Sequence, residues 1–324
     1  MENQYKTIHQ SAIVVDLHND YMEERIHHPE HRLFGNNKHH TDVARLKEGG
    51  VNVQFFVIWT RPDEHEDHFA RSLELIDILN HDIDECNGEI KLVNNYNDII
   101  KTVENGKIAA VMCLEGGQLI GSDIDNIDRF YAKGMRYLTL AWNYGTDWCG
   151  GAKDNDNKGL GQFGKEVIDR LIKLGVMIDV SHVNKKSLED ILNYTDATVI
   201  ATHSGAYNVN NTNRNLCDEH IKEIARRGGV IGSVFYPYFL NNTEKATIAD
   251  VMKHINYIRN LTGGVDCLAL GSDFDGIDIT PEGLENVSKF PNLTKTLFDD
   301  GYTADEITKI LGANALRVIK NIIH

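Results

Sequence analysis

A chain of 324 residues with 41% hydrophobic and 25% charged side chains can bury a sizeable core and is not composed like a disordered segment. Its 48 acidic against 33 basic residues leave a formal charge of -15, which repels phosphate backbones and anionic lipid, so neither nucleic acid nor a membrane surface is an expected partner. The five cysteines, Cys86, Cys113, Cys149, Cys217 and Cys267, are scattered and form no CxxC pair, and a reduced, cytoplasmic setting is expected.

The polar opening from Met1 to Gln10 lacks the basic-then-apolar pattern of a secretion signal. Short β-branched runs then alternate with amphipathic stretches, the pattern of strand-helix-strand units on a parallel sheet. The first run, Ile13 to Leu17, leads into VVDLHND. Residues two apart on an extended chain face the same way, so His18 and Asp20 can hold one metal ion together. The tract that follows, RIHHPEHRLFGNNKHH, carries His27, His28, His31, His39 and His40. A His-rich loop can bind metal, but this one reads as a solvated segment forming part of the access wall.

Val51 to Trp59 is the next strand, followed by a helix from His65 to Cys86 and a short extra strand around Ile90 to Val93. Ile108 to Leu114 runs directly into Glu115 and two glycines, a place where a carboxylate is costly without a partner. Arg136 to Ala141 and a helix from Phe163 to Leu174 precede Val176 to Ser181, which ends at His182. Thr198 to Thr202 ends at His203. A helix from Asp218 to Arg227, a strand from Val230 to Phe235 and a helix from Ile248 to Leu261 lead to the last strand, Cys267 to Ser272. That strand presents Asp273 and Asp275, and Ala304 to Ile323 reads as helices closing the barrel.

Eight strand-helix units with no Pro-rich linker or repeat predict a single catalytic domain over residues 1–324, an α/β fold of the (β/α)8 TIM-type barrel and metal-dependent hydrolase type. Chemistry in such a barrel stands at the C-terminal ends of the strands. There the chain offers an HxD pair, a carboxylate and two histidines, a ligand set suited to two divalent metal ions, with zinc the natural choice. The expected assignment gives His18 and Asp20 to one ion and His182 and His203 to the other, with Glu115 bridging. Two such ions about 3.5 to 4 Å apart would turn a shared water into a bridging hydroxide. Asp273 directly follows its apolar run and is the expected base, whereas Asp275 is free to stabilise the turn.

The motifs VDLHND, CLEGG, GMRYLTL, QFGKEVIDRLIKLGVMIDVSHV, ATHSGA, NRN and GSDFDGIDITPEGLENVSKF resemble the membrane (renal) dipeptidase family of zinc peptidases, within the amidohydrolase superfamily, over nearly the whole chain. The resemblance implies cleavage of dipeptides, including L-Xaa-D-Xaa, the ligand assignment given above, and Asp273 handling the proton. It also implies that Arg214 holds the substrate carboxylate, as a bidentate guanidinium can. Family precedent suggests a homodimer. The chain departs from the animal enzymes where they carry a histidine that stabilises the oxyanion: here Trp142 stands, with Asn143 and Tyr144 as neighbouring polar contacts to substrate. The alternatives are an amidohydrolase acting on N-acyl amino acids, cyclic amides or lactones, and a catalytically weak metal-binding homologue.

Overall fold

This computed structural model describes residues 2–35, 38–64, 66–154 and 157–323. The strands are β1 (Val14–Asn19), β2 (Val51–Ile58), β3 (Ile90–Leu92), β4 (Ile108–Glu115), β5 (Met135–Thr139), β6 (Met177–Asp179), β7 (Val199–Ser204), β8 (Ile231–Ser233) and β9 (Leu268–Leu270). Pairing runs β2-β1-β9-β8-β7-β6-β5-β4 and returns from β4 to β2, so eight parallel strands close on themselves. The chain is therefore a (β/α)8 barrel. The short β3 pairs with Ile108–Ala110 at the start of β4, and β5 takes over at Met112–Glu115, so β3 supplements the barrel without being one of its eight staves.

Alternation along the strands divides the core into two layers. Val53, Phe55 and Val57 of β2 belong to the barrel interior with Leu17, Tyr137, Met177 and Ile200. Phe56 and Ile58 of the same strand face the surrounding helices. Ala315, Leu316, Val318 and Ile319 of the helix Asn314–Ile322 join the interior cluster and plug one end, as the C-terminal apolar pattern predicted. Full burial of a leucine or phenylalanine contributes about 1.5–3 kcal/mol, so this plug is a substantial part of the core.

The expected helices recur with shifted ends. His65 lies outside the described residues, and the helix there spans His68–Asp84, its first turn capped where Asp67 accepts from the Ala70 N–H at 2.9 Å. Gly175 and Gly263 end the helices Gln162–Leu174 and Ile248–Thr262 in left-handed geometry. Several helices lie outside those named from the pattern. Among them are Glu2–Ser11 and Tyr21–His27, the latter inside what reads as the loop after the first strand. Gly232 and Gly271 occupy positions where a Cβ would meet the Thr202 carbonyl oxygen at 1.8 and 1.7 Å. Only glycine allows β8 and β9 to approach β7 this closely.

Candidate metal centre

Beyond or at the C-terminal ends of β1, β4, β6, β7 and β9, the structure brings the buried His18, Asp20, Glu115, His182 and His203 and the partly buried Asp273 into one cluster. Glu115 Oε1 sits at its centre. His182 Nε2 lies 3.0 Å from that oxygen, and His18 Nε2 and His203 Nε2 each lie 3.6 Å away. His18 Nε2 is also 3.4 Å from Asp20 Oδ2 and 3.9 Å from Asp273 Oδ1. His182 and Asp273 hold φ values of 65° and 66°. Non-glycine residues in that left-handed region store strain, and such positions collect at functional sites.

The far nitrogens of the rings fix which proton each carries. Asn143 Oδ1 can only accept, so His182 Nδ1–H donates to it at 3.1 Å and leaves Nε2 bare. The Thr202 hydroxyl donates to Asp179 Oδ2 at 2.8 Å, so it accepts from His203 Nδ1–H at 2.9 Å, and His203 Nε2 is bare as well. The two bare nitrogens face each other at 2.8 Å beside the Glu115 carboxylate. Lone pairs crowded this way repel unless a cation lies among them. His18 Nε2 and Glu115 Oε1 are buried without a hydrogen-bond partner. This donor set fits a divalent metal.

The electrostatics express the same demand. Burial, reinforced by the Arg214 charge, lowers His182 to about 4, and burial drives His203 well below its usual value. Burial alone would raise Glu115, but His182 and His18 outweigh it and bring the carboxyl to about 2. Burial opposes charge on His18, yet Asp20 and Glu115 raise it to about 10. Asp273 is pushed well above the carboxylate range by burial and by the neighbouring Asp20. Three carboxyls share this small volume, and a cation relieves the repulsion among them.

The cluster forms the floor of a cavity of about 860 Å³ whose wall includes Trp59, Arg61, Trp142, Arg214, Tyr236 and Phe239. Arg214 is buried, its Nη2 donates to the His203 carbonyl at 3.3 Å, and its guanidinium lies 5.0 Å from the Phe239 ring centre. Its Nε has no partner, and among the described residues no carboxylate reaches it within ion-pair distance. The Trp142 ring packs 4.8 Å from Trp59 and stacks at 6.2 Å on His182. Tyr144 is 55% exposed and lies outside the lining of this cavity, so it makes no wall contact of the kind the sequence suggested. Asp275 is set apart from Asp273: its Oδ1 accepts from the His40 N–H at 2.8 Å, a turn-stabilising contact.

Comparison with known proteins agrees with this geometry. The family model for membrane dipeptidases, peptidase family M19, matches residues 2–324. The chain belongs to the membrane dipeptidase family. An uncharacterized dipeptidase of Schizosaccharomyces pombe is 32% identical, the match covering 98% of this chain and 82% of that protein. A crystal structure of dipeptidase AC, a family M19 metallopeptidase, superposes with a TM-score of 0.89 at 26% identity over 97% of this chain and 99% of that one. A metallopeptidase of Rhodobacter sphaeroides, liganded with a phosphinate mimic of the dipeptide L-Ala-D-Ala, superposes with a TM-score of 0.88 at 25% identity, covering 96% and 100%.

This membrane-dipeptidase-family chain is a hydrolase, and among its described residues no helix is long and apolar enough to cross a membrane. Sequence reasoning missed the residues that orient the histidines of the cluster. Asp179 accepts from the Thr139 and Thr202 hydroxyls at 2.6 and 2.8 Å and from the Ser181 and Thr202 N–H groups at 3.1 and 2.9 Å. Asp16 accepts from the Ser272 hydroxyl and N–H at 2.7 and 2.8 Å, tying the end of β1 to that of β9. The Tyr137 hydroxyl stands 3.0 Å from His18 Nδ1. A signal existed: each aspartate interrupts an apolar strand run just before a ligand histidine, in VVDLH and MIDVSH.

Proposed function

We propose that this chain is a binuclear metal dipeptidase whose single catalytic unit spans residues 1–324. The observation that carries the reading is the pair of bare imidazole nitrogens of His182 and His203, 2.8 Å apart beside the buried Glu115 carboxylate. His18 and Asp20 would hold one divalent ion and His182 and His203 a second, with Glu115 as the ligand they would share; the donors suit zinc. When bound, such ions would supply Lewis acidity that polarises the scissile carbonyl and lowers the pKa of the attacking water.

The protein's own groups do the rest. Arg214, with an unpaired guanidinium edge, binds the free carboxylate of the dipeptide and sets the register of the scissile bond over the metal cluster. Asp273 takes the proton from the attacking water and passes it to the leaving amine, in the manner of a general base turned acid. Asn143 keeps His182 in its ligand tautomer and faces the same cavity as the substrate. Trp142 covers the substrate from the wall and, with Trp59, gives that side of the cleft an apolar surface. An L-Xaa-D-Xaa dipeptide is the favoured substrate by kinship with the neighbour that binds an L-Ala-D-Ala mimic. By family precedent the protein works as a homodimer, and by its cysteines in the cytoplasm.

The test is metal content and hydrolysis measured on one sample before and after chelation, with L-Xaa-L-Xaa, L-Xaa-D-Xaa, N-acyl amino acid and lactone panels. About two equivalents of zinc with chelator-sensitive dipeptide cleavage is the expected result. Bound metal with cleavage of only the acyl or lactone panel would replace the dipeptide reading with the amidohydrolase alternative. A metal-free, fully active protein would end both.

A further inference from the structure

A second set of metal-ligand side chains stands at the rim of the cleft, outside the catalytic cluster. Glu24 lies one helical turn beyond Asp20, in the helix Tyr21–His27, and is buried. Its Oε1 meets His31 Nδ1 at 2.6 Å and His39 Nε2 at 2.8 Å, with His28 Nε2 at 3.8 Å. The ligand atoms of Glu24, His31 and His39 fall within 4.8 Å of one another. His28 stacks on His31 and on His39 with ring centres 4.9 and 5.4 Å apart, and the His31 and His39 rings, tilted at 45°, lie 4.7 Å apart.

One carboxylate can neutralise one imidazolium, so three rings around a single oxygen exceed what an ion pair requires. The rings come from both ends of the segment 28–39 and converge on one helical glutamate. Imidazole nitrogens with a carboxylate are the donors a borderline ion takes. Glu30 Oε1 lies 3.9 Å from His31 Nε2, where a carboxylate outside the ligand set orients a ligand histidine.

We propose that Glu24, His31 and His39 form a third metal site, for a Zn2+-class divalent ion, distinct from the catalytic pair. Two histidines and a carboxylate supply three donors, and the fourth position of a tetrahedral ion is left to water or to His28, whose Nε2 lies 3.8 Å from Glu24 Oε1. The ion ties His31 and His39 to the helix Tyr21–His27. Because Glu24, His28 and His39 also line the cleft, it holds one wall of the substrate cavity in place.

The experiment isolates this site by deleting the other. The H18A/H203A variant, without two catalytic ligands, is stripped by dialysis and titrated with Co2+ alone, read by the visible d–d absorption of a tetrahedral site. The same titration is run on H18A/H203A/H31A/H39A and on H18A/H203A/E24Q, with circular dichroism confirming that each is folded. The expected result is about one equivalent of tetrahedral Co2+ in the first protein and its loss in both others. No tetrahedral Co2+ in folded H18A/H203A overturns the proposal, as does a signal that survives both the histidine and the glutamate substitutions. If the quadruple variant does not fold, E24Q decides, since it keeps the side-chain shape and removes only the charged donor.

Discussion

Thr202 lies between a structural aspartate and a ligand histidine, and replacing it with valine tests the reasoning about ring orientation. Valine keeps the shape and removes the hydroxyl. The bond to Asp179 Oδ2 at 2.8 Å is lost, and His203 Nδ1–H loses its acceptor at 2.9 Å, while Asp179 keeps its bonds from Thr139, Ser181 and the Thr202 N–H. A buried N–H left unpaired costs about 1–3 kcal/mol. Loss of an outer partner of a metal ligand costs about 10–100-fold in affinity, or about 1.4–2.7 kcal/mol, so the two estimates agree. We predict that Thr202→Val weakens zinc binding by that factor in competition with a chromophoric chelator, and that Thr202→Ser, which restores the hydroxyl, recovers most of it. Zinc affinity within about twofold of the parent in Thr202→Val would refute the claim that this hydroxyl fixes the tautomer.

Arg214→Met should raise KM for dipeptides by roughly 10–100-fold, the worth of a charge-assisted hydrogen bond, and leave C-terminal dipeptide amides nearly unaffected; steady-state kinetics on matched pairs checks this. Trp142→His should raise kcat for dipeptides by restoring an oxyanion donor, and an unchanged or lower kcat would mark Trp142 as fitted to its own substrate. Burial lowers the His9 pKa from 6.5, although its bond to the Gly49 carbonyl partly opposes this. The unfolded chain therefore binds the proton more readily, and the stability from neutral His9 is complete above 6.5 and is lost as pH falls below it. Comparing Tm for the parent and His9→Gln across that range should show the difference shrinking on acidification.

Much of this molecule was legible because its strands are continuous apolar runs ending in polar ligands. All eight barrel strands, the supplementary β3 and the grouping of His18, Asp20, Glu115, His182, His203 and Asp273 follow from that pattern. The ends of β6, β8 and β9 fell short of expectation, because the chain leaves the ladder early where it turns its side chains into the site. The helix Tyr21–His27 stayed hidden because its two glutamates, Arg25 and His27 read as solvated, although Tyr21, Met22 and Glu24 are buried. Asp16 and Asp179 stayed hidden for a different reason. An aspartate within an apolar run is as costly to bury unpartnered as Glu115 at a strand end, and its partners lie on other strands, out of sight of the local pattern.

The two glycines pressed against the Thr202 carbonyl carry a lesson about descent and design. A chain could keep every ligand of this centre and still lose it through one methyl group on a neighbouring strand, since Gly232 and Gly271 leave less than 2 Å for a Cβ. Searches for relatives that score ligands alone will admit chains unable to seat His203. Transplanting the centre into another barrel requires moving two absences of side chain along with the residues that bind.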